Sequence, residues 1–109
     1  MGGGITAQRK GKRGEEELTA LLREYGFPAR RGSPLNYGKE PDVSGLPGVH
    51  IEVKRREHVD LSAALEQAKR DSQRFGDGLP VVMHRANRQK WRVTMELEDF
   101  ISLYRKGGY

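Results

Sequence analysis

The sequence predicts a single α/β domain in which helices flank a mixed central sheet, with elements in the order α-β-β-β-α-β-β-α. Three segments carry apolar residues at helical spacing, and shorter β-forming runs lie between them. A length of 109 residues suits one domain with a modest core, and 35% hydrophobic content is compatible with a globular chain. No internal repeat is evident. We expect a flexible segment over residues 1–8 and the domain over residues 9–109.

The first half of the chain predicts a helix and three strands. An apolar stripe indicates a helix over Gly14–Tyr25, and Gly26 can end it. A short strand follows over Phe27–Arg31, and then comes a loop rich in Gly, Ser, Pro and Asn. From residue 49 onward, apolar and polar residues alternate strictly, which is typical of a strand. Val49, Ile51 and Val53 would face the core, whereas His50, Glu52 and Lys54 would face the other way.

The second half predicts a helix, two strands and a final helix. The helix begins at Asp60 or Leu61 and ends at Phe75, and its small core-facing residues permit close packing on the sheet. Leu79–Arg85 and Trp91–Met95 are the two strands. The last helix should bury the apolar stripe formed by Leu97, Phe100, Ile101 and Tyr104.

A carboxylate and an ammonium group share one face of the strand that begins at Val49. Glu52 and Lys54 are two residues apart, so their side chains point the same way at a separation of about 6 to 7 Å. The Gly45-Leu46-Pro47-Gly48 turn should form a hairpin that returns Asp42 to the side of Glu52. Two carboxylates would then share one hard cation.

Such a group of residues suits phosphodiester hydrolysis. Carboxylate oxygens hold Mg²⁺ or Mn²⁺, which polarises the phosphoryl oxygen and acidifies the attacking water, and Lys54 would orient or deprotonate that water. A solvated strand also often alternates Glu and Lys as cross-strand pairs, and that interpretation is sufficient for Glu52 and Lys54 alone. Pro41-Asp42 at this upstream spacing, with an acidic helix before it, favours the catalytic interpretation.

The charge of the chain favours a polyanionic partner. The net charge is +5 and the pI is near 9.7. Four cations lie within residues 9–13, where they would contact phosphates or simply form a solvated helix surface. The link before the last strand carries Arg88 and Lys90 beside Trp91, a composition suited to phosphate contact. Trp91 itself is expected in the core, because it alternates with Val93.

Other classes of site are excluded or disfavoured by composition. The chain has no cysteine, and His50, His58 and His84 lack paired zinc-ligand spacing, so a metal would be held mainly by oxygen. No apolar run approaches the length of a membrane span, and the start lacks the apolar core of a signal peptide. We therefore expect a soluble, intracellular (cytoplasmic) protein.

The order Pro41-Asp42, nine residues, Glu52-x-Lys54 resembles the PD-(D/E)XK nuclease superfamily, which has a restriction-endonuclease-like fold. The opening of the chain is similar to that of archaeal-type Holliday-junction resolvases. The motifs that carry this second likeness are Arg9-Lys10-Gly11, Glu15-Glu16-Glu17-Leu18, Leu21-Leu22 and Gly26-Phe27. The resemblance covers roughly residues 9–91 and departs in the loop from Gly32 to Pro41 and in the tail.

The resemblance implies a role for each candidate site residue. Glu15 matches the first catalytic glutamate, although helical periodicity alone barely separates Glu15 from Glu17. The implied catalytic residues are Glu15, Asp42, Glu52 and Lys54. The implied metal ligands are Asp42, Glu52 and the backbone carbonyl of Val53, with Glu15 acting indirectly. Ser33 matches a functional serine, or is a turn residue before Pro34, and Gln67 would support the site from the second helix.

The implied activity is a Mg²⁺-dependent endodeoxyribonuclease, with Mn²⁺ able to substitute, that resolves four-way junctions as a homodimer in DNA recombination and repair. Alternatives are a nuclease of the same chemistry acting on flaps, nicks or linear duplex, a non-catalytic DNA-binding module, and a basic structural or protein-interaction domain. The expected DNA contacts are Arg9, Lys10, Lys12, Arg13, Arg30, Arg31, Ser33, Arg55, Arg56, Arg88 and Lys90.

Overall fold

The computed structural model describes residues 3–33, 35 and 38–109, with side chains from residue 11 onward. It has the predicted element order, three helices and five strands. The elements are α1 (Gly3–Glu24), β1 (Arg30–Arg31), β2 (Val43–Ser44), β3 (Gly48–Arg55), α2 (Leu61–Phe75), β4 (Gly78–Arg85), β5 (Arg92–Thr94) and α3 (Leu97–Lys106). The predicted fold class is confirmed.

The five strands form one mixed sheet in the order β1-β2-β3-β4-β5. β3 and β4 are parallel and pair along their whole length, from Gly48 opposite Gly78 to Arg55 opposite Arg85. The other neighbouring pairs are antiparallel. Since parallel strands need a crossover connection, α2 returns the chain across one face of the sheet.

Helix α1 begins at Gly3, well before the predicted start at Gly14. Ala7, Gln8 and Arg9 favour helix, which accounts for the extension despite the glycines around them. Gly14 is buried at the approach of α1 to β3, and a Cβ there would lie 2.5 Å from the Cβ of Arg55. Met1 and Gly2 lie outside the described residues, and the predicted flexibility of residues 1–8 stays a prediction.

The core lies on both faces of the sheet. On the α1 face, Leu18 and Leu22 pack with Val43, Ile51 and Val81. On the other face, the small residues Ala64 and Ala68 of α2 pack against Val82. The polar face of β3 therefore lies beneath α2, where His50 is 2% exposed and Glu52 is 5% exposed.

The last helix differs from its prediction. No residue of α3 is buried, and its apolar residues Leu97, Phe100, Ile101 and Tyr104 are exposed. The prediction of burial was wrong because an apolar stripe shows that a helix can bury one face but does not show where its partner lies. Trp91 is partly buried against the core, as expected, while Val93 is exposed. Within the part of the chain that the structure describes, no helix has the length and apolar character needed to cross a bilayer.

Candidate active site

The hairpin of β2 and β3 sets the position of Asp42. Val43 pairs with Ile51 in antiparallel register, so the preceding residue, Asp42, lies opposite Glu52. The turn depends on Gly45, whose φ of +121° favours glycine and whose added Cβ would lie 2.5 Å from the Cα of Ala29. Asp42 and Glu52 thus approach each other through local backbone geometry.

Lys54 extends this pair along β3. Its Nζ lies 3.3 Å from Oε1 of Glu52 and donates a 3.4 Å hydrogen bond to Oε1 of Gln67 on α2. The structure thereby brings Gln67, predicted as site support, against the ammonium group. Val53, whose carbonyl is a predicted ligand, lies in β3 between Glu52 and Lys54.

An open cleft of about 240 Å³ is lined by Asp42, Glu52 and Gln67, between β3, α2 and the segment that precedes β2. Asp42 is exposed at its mouth, whereas Glu52 and His50 are buried. Gln67 and Asp71 line the cleft from α2 because they are four residues apart and so share one helix face. Four carboxylate residues therefore line the cleft: Glu40, Asp42, Glu52 and Asp71.

Both predicted carboxylate ligands have a raised pKa. Desolvation by the surrounding protein raises the pKa of Glu52, and the charge and hydrogen bond of Lys54 only partly oppose it. Desolvation likewise raises the pKa of Asp42, with Lys54 opposing and the charge of Asp71 adding to the shift. The negative charges of the site are thus only partly compensated by protein groups. A divalent cation fits such a donor set, because it would stabilise the ionised forms.

The α1 residue Glu15 interacts electrostatically with Asp42 of this site. Burial raises its pKa, a hydrogen bond from Arg31 lowers it, and the charge of Asp42 raises it further. Nη2 of Arg31 lies 3.0 Å from Oε1 of Glu15. Glu15 is thus coupled by charge to Asp42, and its catalytic role stays a prediction.

Glu16 and Glu17 make other contacts. Glu16 is exposed and pairs with Arg31 and Lys12. Glu17 accepts hydrogen bonds from Arg85 and, at 3.1 Å, from the indole Nε1 of Trp91. It also lies 3.4 Å from Nε of Arg55. Glu17 therefore ties α1 to the sheet, which is a structural role.

The predicted DNA contacts have different surroundings. Lys12, Arg13, Arg30, Arg56, Arg88 and Lys90 are exposed. Arg13, Arg55 and Arg56 line a second open cavity of about 230 Å³ beside Glu17 and Asn87. The Oγ of Ser33 accepts a 3.2 Å hydrogen bond from the Leu35 N–H, a turn contact. The side chains of Arg9 and Lys10 lie outside the described part, as does Pro34 beside Ser33.

Sequence reasoning missed two residues of the cleft. His50, Glu52 and Asp71 each offer one ligand atom, and these atoms lie within 4.8 Å of one another. A signal was present in the sequence for both missed residues. His50 is on the Glu52 face of β3, and Asp71 follows Gln67 by one helical turn, but the placement of α2 on the sheet was needed to join them.

Among solved structures, the chain is similar to Hjc of Archaeoglobus fulgidus, a Holliday junction resolvase from an archaeal hyperthermophile. The TM-score is 0.57 and the sequence identity 28%, over 79% of this chain and 72% of that chain. No protein-family model and no curated protein sequence gives a significant match.

The fold is that of the PD-(D/E)XK nuclease superfamily. The resemblance to archaeal-type Holliday-junction resolvases, predicted from the sequence, is confirmed, and it supports a nuclease of that family.

Proposed function

We propose that this chain is a metal-dependent, structure-specific DNA endonuclease that resolves four-way junctions. The observation that carries the proposal is the position of Asp42 opposite Glu52, with Lys54 3.3 Å from Glu52, in a fold shared with a Holliday junction resolvase. Mg²⁺ is the proposed ion and Mn²⁺ its substitute, because the donors are mainly carboxylate oxygens.

Each residue of the site has a separate task in this proposal. Asp42 and Glu52 hold the ion, with the Val53 carbonyl as a further ligand. When bound, the ion polarises the phosphoryl oxygen and lowers the pKa of the attacking water. Lys54, held between Glu52 and Gln67, orients that water toward the phosphorus. Glu15 adds negative charge from α1.

The DNA backbone would be bound by exposed cations that lie outside the cleft. Arg13 and Arg56 line the second cavity, beyond the end of the strand that carries Lys54, and Arg30 lies on the strand that neighbours β2. Phosphate contacts of this kind position a duplex without reading its sequence, as a structure-specific nuclease requires.

Resolution requires two symmetric cuts, so we propose a homodimer with one site in each subunit. The apolar side chains exposed along α3 suit a contact between two copies of the chain, since they are the largest group of such residues on one described element. This surface includes Phe100, Ile101 and Tyr104.

Cleavage of labelled DNA tests the proposal. Four-way junction, flap, nicked duplex, linear duplex and single-stranded DNA would be incubated with Mg²⁺, Mn²⁺ or EDTA. The wild type would be compared with Asp42→Asn, Glu52→Gln and a control, Glu24→Gln, which alters an exposed acid at the end of α1. Paired symmetric cuts in the junction, lost with either site variant and with EDTA, are the expected result.

Two other outcomes would contradict it in different ways. Preferential cutting of a flap, nick or linear duplex would keep the chemistry and remove the junction role. Salt-sensitive DNA binding without cleavage under any metal condition would identify a non-catalytic binding module.

A further inference from the structure

The buried imidazole of His50 has one satisfied and one unsatisfied nitrogen. Its Nδ1 lies 2.8 and 3.0 Å from the two carboxylate oxygens of Asp77. An ionised carboxylate only accepts hydrogen bonds, so Nδ1 donates and carries the proton. Its Nε2 is buried and has no hydrogen-bond partner among the described residues. Leaving such a buried polar atom unpaired destabilises the folded protein.

The surroundings of Nε2 point to a cation. His50 and oxygens of Glu52 and Asp71 form a group whose ligand atoms lie within 4.8 Å of one another, and because Asp77 engages Nδ1, Nε2 is the ring nitrogen left to bind a cation. In an octahedral shell with bonds of about 2.1 Å, adjacent ligands are roughly 3.0 Å apart and opposite ligands roughly 4.2 Å apart, so the three side chains would move closer together to bind one ion. The ring of Phe75 stacks on the imidazole at a centroid distance of 6.0 Å.

We propose that Nε2 of His50, together with Glu52 and Asp71, forms a divalent-cation site that contains one nitrogen ligand. Asp77 is a positioning residue, because its hydrogen bond to Nδ1 directs the Nε2 lone pair at the ion, an arrangement common for metal-bound histidines. This site deepens the proposed function, on which it rests, since Glu52 belongs to both sets of ligands.

A nitrogen ligand changes which ion the cleft prefers. Mg²⁺ favours an all-oxygen shell, whereas imidazole suits first-row transition metals. Mn²⁺ accepts both donor types, so the site should bind Mn²⁺ more tightly than Mg²⁺. Removing the imidazole should weaken Mn²⁺ binding. It should also reduce the ratio of the Mn²⁺ affinity to the Mg²⁺ affinity.

Pulsed electron paramagnetic resonance of the Mn²⁺-loaded protein tests the ligand directly. A nitrogen bound to Mn²⁺ modulates the electron spin echo, and the modulation changes when histidine is labelled with ¹⁵N. We expect this signal in the wild type and in a control, His58→Ala, whose histidine is exposed. It should be lost in His50→Ala, with Mn²⁺ affinity reduced by about ten- to a hundredfold. The labelled wild type gives the answer even if His50→Ala does not fold.

The outcomes separate this proposal from the nuclease proposal. If the protein cleaves DNA and binds Mn²⁺ without a histidine signal, the proposal that His50 is a metal ligand is wrong. The nuclease proposal then stands. A histidine signal in a protein that never cleaves DNA would keep the metal site and overturn the nuclease. A protein that binds no Mn²⁺ would overturn the His50 site, and the cleavage assay with Mg²⁺ would decide the nuclease proposal independently.

Discussion

Lys54 and Gln67 are joined by a hydrogen bond of 3.4 Å from the lysine Nζ to the glutamine Oε1. This contact links β3 to α2 across the candidate active site. Because Lys54 also lies 3.3 Å from Glu52, the amide of Gln67 helps hold the ammonium group in one place. Gln67 on α2 therefore helps to position Lys54 of β3, the residue proposed to orient the attacking water.

Gln67→Ala should therefore lower the cleavage rate by about ten- to a hundredfold, the usual effect of removing a partner of an active-site ligand. The loss should fall on kcat, with the Kd for DNA little changed. Gln73→Ala is the matched control, since Gln73 is exposed on the same helix. Equal rates for Gln67→Ala and the wild type would show that the amide does not position Lys54.

Glu52→Gln should stabilise the protein in EDTA. Desolvation raises the pKa of Glu52 in the folded state, so its ionised form costs folding free energy that the neutral amide avoids. We expect a gain on the order of 1 kcal/mol, which is about 4 to 8 °C in Tm for a small domain. Thermal unfolding measures it, and added Mn²⁺ should raise the Tm of the wild type more than that of the variant.

The raised pKa of Glu52 also makes the stability of the protein depend on pH. A raised folded-state pKa means that the contribution of Glu52 to stability is full below its ordinary pKa of 4.5 and is lost as pH rises through the folded value. The difference in Tm between Glu52→Gln and the wild type should therefore grow as pH rises from 4.5 toward neutrality. A difference in Tm that stays constant over this pH range would contradict the raised pKa of Glu52.

Glu17→Gln should destabilise the protein, in contrast to Glu52→Gln. Burial acts to raise the pKa of Glu17, but the hydrogen bonds and charges of Arg85 and Arg55 outweigh it and the pKa is lowered. Its stabilising contribution is present above the ordinary value of 4.5 and is lost as pH falls through the folded value. We expect a loss of roughly 1 kcal/mol at neutral pH by thermal or urea unfolding, after allowance for its partial exposure.

Glu16→Gln is the control for this variant, because Glu16 is exposed on the same helix and its ion pairs lie at the surface. A destabilisation by Glu16→Gln equal to that by Glu17→Gln would show that the part-buried contacts of Glu17 stabilise the protein no more than surface ion pairs do.

Arg13 and Arg56 should contribute to DNA affinity through charge. Each lost phosphate contact reduces the slope of log K against log salt concentration by about 0.9 for duplex DNA. The double variant Arg13→Ala/Arg56→Ala should therefore bind several DNA sequences more weakly, to the same extent, with a slope shallower by about 2. Arg105→Ala, an exposed cation of α3, should leave the slope unchanged if that helix faces a second subunit.

Phe100→Asp should convert the proposed dimer to a monomer. The side chain is exposed in the single chain, so the substitution should hardly alter the free energy of unfolding of the monomer. A charge in an apolar contact between two subunits would be costly. Light scattering after size-exclusion chromatography gives the mass of each form. A wild-type monomer, or a dimer that persists in Phe100→Asp, would contradict the assignment of this surface.

Local signals in the sequence predicted much of the fold. Helix α2 begins at Leu61 and ends at Phe75 as expected, because Asp60 accepts a 3.0 Å hydrogen bond from the Ala63 N–H and Gly76 adopts a φ of 62°. Strict alternation likewise predicted that Glu52 and Lys54 share a face of β3. These features depend on residues close together in the chain.

Features that depend on packing between distant elements were not predictable in the same way. The burial of His50 and the approach of Asp71 follow from how α2 rests on the sheet, which no local pattern specifies. The exposure of Phe100 is the converse case, because the apolar stripe of α3 has no cover within the described chain.

The pairing of Val43 with Ile51 has an evolutionary consequence. A shift of one residue in this register would turn Asp42 away from Glu52 and reverse the faces of β2, so catalysis and core packing would fail together. Residues 45–47, which join the two strands, should therefore tolerate neither insertion nor deletion during descent. Length variation should instead accumulate in the segment from Ser33 to Glu40, where the chain can change without altering the register of the carboxylates.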